Sequence, residues 1–440
     1  MTASKTPDRN LTHFLPGDDA AQPGLSRYAD RVEGSTILRI AAEIRAMQGR
    51  GEQVLNLTVG DFRPDQFPVP EALVDYIVEA LHDGETNYPP VDGVPELREQ
   101  IRVLNRDDLG LEYPMESVLV AGGARPLIYS TYMAVVDPED CVLYPVPSWN
   151  NHHYAYLSGA NATALPVSPD RNFHLDAEAI EPWIQRARLL CLNSPLNPTG
   201  TCISESALGG ISEAIVRENS RREAIGQRPL YVVYDQVYRT LTYGDSRHHT
   251  PVGLVPEMAP YTVLVDAVSK AMSGTGLRVG WAAGPPHLIA KMREMAGHYG
   301  AWAPRAEQVA TARFLKDRTA LSAHRVSFIG QLHDRLDRIH LALGDMATAG
   351  CPVEHIPPQG AIYLSVRFDL VGKRVAGRDI RTNEDIRRLL LEEAGLGVLP
   401  FQAFGMEGDT GWMRISVGAV SPSEIDAGMV RLRDVLTRVE

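Results

Sequence analysis

Lysine is scarce in this chain of 440 residues. There are five, Lys5, Lys270, Lys291, Lys316 and Lys373, against thirty-eight arginines, and none lies between Lys5 and Lys270. Cysteine is equally sparse. Cys141, Cys191, Cys202 and Cys351 form no C-x-x-C, and the nearest two stand eleven positions apart. That spacing argues against a disulfide framework or a zinc site and favours thiols in a reducing compartment. No run reaches the roughly 18 apolar residues of a membrane span. The opening MTASKTPDRNLTHFLPGDDAAQPG has no apolar segment of the signal-peptide kind. A cytoplasmic protein without a membrane partner is expected. Net positive charge is also missing: 55 acidic against 43 basic residues give −12, which disfavours broad nucleic-acid binding.

What remains is an ordinary globular composition, 44% hydrophobic and 22% charged, long enough for two or three domains. Residues 1–34 are polar with scattered Pro and Gly and read as an N-terminal arm. A helix is expected in STILRIAAEIRAMQGRG, where Ile37, Ile40, Ala41 and Ile44 fall at helical spacing and Gly49 and Gly51 mark the end. From about residue 116, apolar runs alternate with amphipathic stretches. The runs are SVLVAGG, DCVLYP, RLLCLN, LYVVYD, TVLVDAV and RVGWAAG. Several lack polar alternation, as strands covered on both faces do. The fold class expected is α/β: a large domain with a mostly parallel central sheet flanked by helices, plus a smaller α+β domain. In the latter, GAIYLSVRF and GWMRISVG read as strands. Ser421, Pro422 and Glu424 open the last helix with a capping box.

Several polar residues stand where such a sheet does chemistry, at the carboxyl ends of strands. Lys270 follows TVLVDAV. A partly desolvated lysine amine can lose its proton and form a Schiff base, although a lone lysine there is also compatible with a solvated surface. NSPLNPTG follows RLLCLN and can aim Asn197 into a site, or merely connect strand to helix. Asp235 ends LYVVYD, where a buried carboxylate needs a cation or several hydrogen bonds; capping a helix is its bland alternative. Tyr238 would share its face if the segment turned helical.

Taken in order, NSPLNPTG, Asp235-x-x-Tyr238, Ser269-Lys270 and Arg278 closely resemble the fold type I aminotransferases that use pyridoxal phosphate, specifically the class I/II group that includes aspartate aminotransferase. The resemblance spans roughly residues 35–435. It implies a small domain made from both chain ends (35–59 and 311–440) and a large cofactor-binding domain over 60–310. Lys270 is then the lysine that holds the cofactor and moves the proton at Cα. Asp235 pairs with the pyridinium nitrogen, so the ring can accept electrons. Asn197 and Tyr238 bond the ring oxygen. Arg278 and the turn Gly122-Gly123-Ala124-Arg125 hold the phosphate, the turn through the N–H groups of Ala124 and Arg125, and Ser269 is among the cofactor-binding residues. Trp149 stacks on the ring, and Asn197, Gly60 and Arg414 meet the substrate, Arg414 clamping its α-carboxylate. Tyr88 reaches the phosphate of a neighbouring subunit, which implies a homodimer with shared sites. No metal is implied.

Two positions depart from the family pattern. Ala267 replaces a serine that donates to the phosphate, and Gln236 replaces an acidic residue. The expected reaction moves an amino group between an L-amino acid and a 2-oxo acid. Arg125 stands where a distal carboxylate can be held, so aspartate and glutamate with 2-oxoglutarate are favoured. Aromatic or neutral amino acids, β-elimination and an aminocyclopropane synthase-like cyclisation use the same groups. A regulator on this fold would need a basic DNA-reading helix, which the acidic arm lacks.

Overall fold

The computed structural model describes residues 10–12, 15, 24–32, 34 and 36–440. Most of the arm expected at 1–34 lies outside the described residues; within it, Arg27–Asp30 form one helical turn capped by Ser26. The helix expected after it spans Thr36–Gly49, with Ile40 and Ile44 buried.

At the centre is a seven-stranded sheet: β1 (Val118–Ala121), β2 (Cys141–Val146), β3 (Asn161–Pro166), β4 (Ala187–Asn193), β5 (Tyr231–Asp235), β6 (Thr262–Ala267) and β7 (Gly280–Ala283). Their order is β1-β7-β6-β5-β4-β2-β3. β7 runs antiparallel to β1 and β6, and the other neighbours are parallel. The unbroken apolar runs follow from burial on both faces. Val142, Leu189 and Val263 pack on one side with Leu127 and Ile128 of the helix Ala124–Val135. Leu143, Leu190, Val232 and Leu264 pack on the other with Leu208, Ile211 and Ile215 of the helix Glu205–Ala224. The strand not expected, β3, is at the sheet edge. Most of its side chains are exposed, so it carries no apolar run.

Parallel pairing sends the carboxyl ends of β4, β5 and β6 to one edge. Asn193 lies opposite Asp235, and Asp235 opposite Val265, two residues before the end of β6. A second sheet, antiparallel, has the order Leu399–Pro400, Trp412–Ser416, Tyr363–Phe368, Val353–His355. The two halves of the chain meet where Leu55–Asn56 pairs in parallel with Leu396–Gly397. Ser416 N–H then donates to Leu57 O at 2.8 Å. This junction carries the 58–62 segment over the edge of the central sheet.

The last helix, Pro422–Leu436, has the expected capping box: Ser421 accepts from the Glu424 N–H while Glu424 accepts from the Ser421 N–H. It buries Ile425, Met429 and Leu432 in the same core as the second sheet. Ser421→Ala should lower stability by about 1 kcal/mol in urea unfolding, leaving ligand binding at the sheet edge unchanged.

Candidate active site

Lys270 sits on the single helical turn Val268–Ala271 that follows β6. Its Nζ donates to Gly60 O at 2.5 Å and stands 5.7 Å from the Phe62 ring and 5.8 Å from the Tyr238 ring. Burial lowers its proton affinity to a pKa of about 8. The Asp61 and Asp235 carboxylates oppose that shift, and the Arg414 and Arg125 cations add to it. A minor but usable fraction of the amine is therefore neutral near physiological pH, which is what a nucleophile or general base requires.

Asp235 is pushed up to about 7, chiefly by burial, with Asp266 adding to the rise. The Val237 N–H, donating at 3.2 Å, and Lys270 counteract it. Among the described residues Asp235 has no ion pair. Asn193 fastens the neighbouring loop to it: its Nδ2 donates to Asp235 O at 2.8 Å, and its Oδ1 accepts from the Asn197 N–H at 2.8 Å. Asn197 is thereby aimed at Arg414, whose Nη1 donates to Asn197 Oδ1 at 3.0 Å.

Arg414 is delivered by the second sheet. It is 1% exposed, sandwiched 4.6 Å from the Tyr363 ring and 4.8 Å from the Phe404 ring. Its Nη2 donates to Thr58 O at 2.5 Å, and its Nε has no partner. No carboxylate among the described residues pairs with it, and burial lowers its pKa. A buried guanidinium with an unused donor fits an anionic ligand group. A Cβ on Gly60 would lie 3.0 Å from the Tyr363 hydroxyl and 3.8 Å from both Arg414 Nη atoms, so a side chain there would press on Tyr363.

Tyr238 reaches the cleft by a turn rather than the helix envisaged, because residues 237–240 form a turn after Asp235. Its hydroxyl lies 2.7 Å from that of Tyr363, and burial raises both phenols. Around the Gly122-Gly123 turn, Gly123 has φ 96°, and a Cβ there would overlap the Arg278 guanidinium. Arg278 donates to Thr275 O at 2.6 Å and Gly122 O at 3.0 Å, and has no carboxylate partner among the described residues. A Cβ on Gly280 would lie 2.8 Å from Ala124 N. Arg278 is thus held against a helix N-terminus whose first N–H groups, Ala124 and Arg125, have no intrahelical acceptor. These groups form an anion cradle.

Arg125 is exposed and lies over the half-buried Trp149 ring at 5.3 Å. Ser269 is half-buried on the Lys270 turn. Ala267 is fully buried and offers no hydroxyl; its N–H donates to Asp266 Oδ1 at 2.7 Å. Gln236 is buried and pairs through Oε1 with His248 Nε2 at 3.1 Å, so the amide has a partner where an acid was expected. Tyr88 is not brought to the cleft within this chain. It is 79% exposed, its ring 5.2 Å from that of Trp302. The sequence reading passed over Tyr363, Phe404, Thr58 and Asp61, all of which touch Arg414, Lys270 or their neighbours.

Among the described residues no group of three or more His, Cys, Asp or Glu is placed to hold a metal ion, and no helix is long and apolar enough to cross a membrane. The donor set suits a ligand with a phosphate, a basic ring nitrogen and an aldehyde: an arginine at a helix N-terminus, a carboxylate without a cation and a desolvated amine.

An α/β sheet that gathers a desolvated amine, a carboxylate and an arginine-lined anion cradle at one edge is suited to group-transfer chemistry. The pattern of the family described as aminotransferase class I and II matches residues 52–432. A probable aspartate/prephenate aminotransferase of Rhizobium leguminosarum bv. phaseoli is 30% identical over 87% of this chain and 92% of its own length. The aspartate aminotransferase of Rhizobium meliloti (strain 1021) is 30% identical over 92% and 94%. The crystal structure of the aspartate aminotransferase from Rhizobium meliloti superposes with a TM-score of 0.84 at 28% identity, covering 96% of this chain and all of that one. The chain belongs to the class I and II aminotransferases and is a transaminase.

The lowered proton affinity of Lys270 makes a direct prediction for the ligand-free protein. Capture of a small aldehyde at Lys270, trapped by borohydride and located by peptide mapping, should rise with pH through a midpoint near 8. A midpoint near 10.5, the ordinary lysine value, would contradict the desolvated site.

Proposed function

We propose that this chain is a pyridoxal-phosphate-dependent aminotransferase exchanging the amino group of aspartate or glutamate with 2-oxoglutarate, as a cytoplasmic homodimer. The observation that carries it is the pairing of a desolvated Lys270 amine with a buried Arg414 that has no carboxylate of its own. One group suits proton transfer at Cα, the other an α-carboxylate. When bound, pyridoxal phosphate supplies an aldehyde for the amino group and a ring that holds the electron pair released at Cα.

The protein's part is positioning and proton transfer. Arg278, Ser269 and the N–H groups of Ala124 and Arg125 hold the phosphate. Asp235 faces the ring nitrogen, and its high proton affinity without a cation is what a protonated ring would relieve. Asn197 and Tyr238 hold the ring oxygen, and Trp149 covers one face of the ring. Arg414 and Asn197 orient the substrate carboxylate, with Gly60 leaving room. Lys270 Nζ takes the proton from Cα and passes it to the former aldehyde carbon rather than back to Cα. The division into an arm, a large domain over 60–310 and a small domain from 35–59 and 311–440 belongs to this reading. So does the dimer, for which Tyr88 offers an exposed aromatic ring that reaches no group of its own cleft.

The dicarboxylate preference rests on Arg125, exposed beside Trp149 without an acidic partner among the described residues, and on relatives named for aspartate. Lys270→Arg keeps the charge but loses the usable amine, so turnover should fall by about 10²–10⁴-fold with the melting temperature nearly unchanged. Arg125→Ala should cost more kcat/KM on aspartate than on alanine. Equal losses on both would overturn the dicarboxylate assignment, and normal turnover in Lys270→Arg would overturn the function.

A further inference from the structure

The carbonyl that accepts from Lys270 Nζ at 2.5 Å belongs to Gly60, one peptide bond from Asp61. A carboxylate so close to an ammonium ordinarily forms an ion pair with it. Here Lys270 has no ion pair among the described residues. Asp61 Oδ1 instead accepts from Thr275 Oγ1 at 2.6 Å and from the Phe62 N–H at 2.8 Å. Both donors are neutral, and together they fix the direction in which the carboxylate faces. Thr275 stands on the loop between Lys270 and Arg278, and that loop is itself held. Ser273, left-handed at φ 51°, donates through its hydroxyl to Phe67 O at 2.5 Å. Arg278 Nη1 donates to Thr275 O at 2.6 Å. The segment carrying Asp61 is pinned from the second sheet. Ser416 Oγ donates to Val59 O at 2.6 Å, and the Arg63 N–H donates to Gly418 O at 3.0 Å. The bond between Thr275 and Asp61 thus joins two pieces whose positions are already set, so forming it costs little conformational entropy.

We propose that Thr275 is a positioning residue for the reaction: its hydroxyl holds the Asp61 carboxylate off the Lys270 amine, so that the amine stays unpaired and can lose its proton. This rests on the reading of Lys270 as the amine that takes the cofactor aldehyde. An ion pair with Asp61 would stabilise the ammonium and remove the nucleophile. A neutral hydroxyl satisfies the carboxylate without placing a further cation in the cleft. Asp61 still opposes the fall in Lys270 proton affinity through space. The other charged groups around Lys270 are Asp235, Arg414 and Arg125, with the Tyr238 ring over the amine. Around Asp61 stand Lys270 and the Tyr363 phenol. Arg278 is turned to the Thr275 carbonyl, and Arg63 is engaged by Asp65 and Glu424. A carboxylate released from Thr275 therefore has the Lys270 ammonium, bonded to the preceding carbonyl, within its reach.

The test uses the full-length, ligand-free protein as wild type, Thr275→Val, Thr275→Ser, Asp61→Asn and the double variant of Thr275→Val with Asp61→Asn. The readout is the pH midpoint for capture of a small aldehyde, trapped by borohydride and mapped to Lys270. Wild type should have its midpoint near 8. In Thr275→Val the midpoint should rise by about one pH unit, with about ten-fold less capture at pH 7. Thr275→Ser keeps the hydroxyl and should keep the wild-type midpoint. The double variant should return the midpoint to about 8 or below, because it leaves no carboxylate to pair with the amine. Asp61→Asn alone should fall below wild type for the same reason. An unmoved midpoint in Thr275→Val would overturn the inference. So would a double variant whose midpoint stays as high as that of Thr275→Val, since a loosened cover that merely admits water does not need the Asp61 charge. Thr275→Ala removes the same hydroxyl and replaces Thr275→Val if the latter does not fold. If wild type captures the aldehyde elsewhere than at Lys270, the reading of Lys270 fails, and the inference with it. Capture at Lys270 with a midpoint near 8, alongside an unaffected Thr275→Val, removes the inference alone.

Discussion

Everything in the cleft depends on keeping the Lys270 amine out of water. A solvated lysine is almost wholly protonated at neutral pH and is neither nucleophile nor base. Here the fold lowers its pKa to about 8 by burying it under the 58–62 segment, with Gly60 O accepting its hydrogen bond. Complete removal of its charge is prevented by Asp61 and Asp235, and the balance is poised rather than extreme. The same desolvation raises Asp235 to about 7, so the two groups sit with proton affinities close together.

That cover exists because two parts of the chain distant in sequence are stitched together. Leu55–Asn56 pairs with Leu396–Gly397, and Arg414 reaches back to Thr58 O. The strand that positions Arg414 is therefore also the strand whose contacts hold the lid over Lys270. In the proposed function, substrate recognition by Arg414 and desolvation of the Lys270 amine are mechanically one feature. Arg414 bridges the two sheets through Asn197, whose N–H is held by Asn193, the residue that also donates to Asp235 O.

Much of this was legible before any coordinates. Lys270, Asn197 and Asp235 stand out because each is a polar residue directly after an apolar run, the place where parallel strands expose their ends. The carboxyl edge was readable from strand patterning alone. The edge strand β3 was not, since four of its six side chains are exposed and it lacks the apolar signature of its neighbours. Tyr363 looked like any aromatic in a buried strand, and only its hydroxyl contact with Tyr238 distinguishes it. Asp266 carried a signal that was passed over: a carboxylate inside TVLVDAV must have a buried cation, and Arg239 is that cation. Tyr88 points away from its own cleft, with its ring against Trp302, as the expected reach to a neighbouring subunit requires. Gln236 broke the family pattern in sequence and is explained in space by His248.

The chemistry done at Cα decides what this enzyme is. The most direct measurement is a single turnover of the cofactor-loaded enzyme with aspartate and no acceptor, following the cofactor absorbance and identifying the product. Conversion of the cofactor to its amine form, with one equivalent of oxaloacetate released per active site, is the predicted result. Release of ammonia with the cofactor still in its aldehyde form would contradict it.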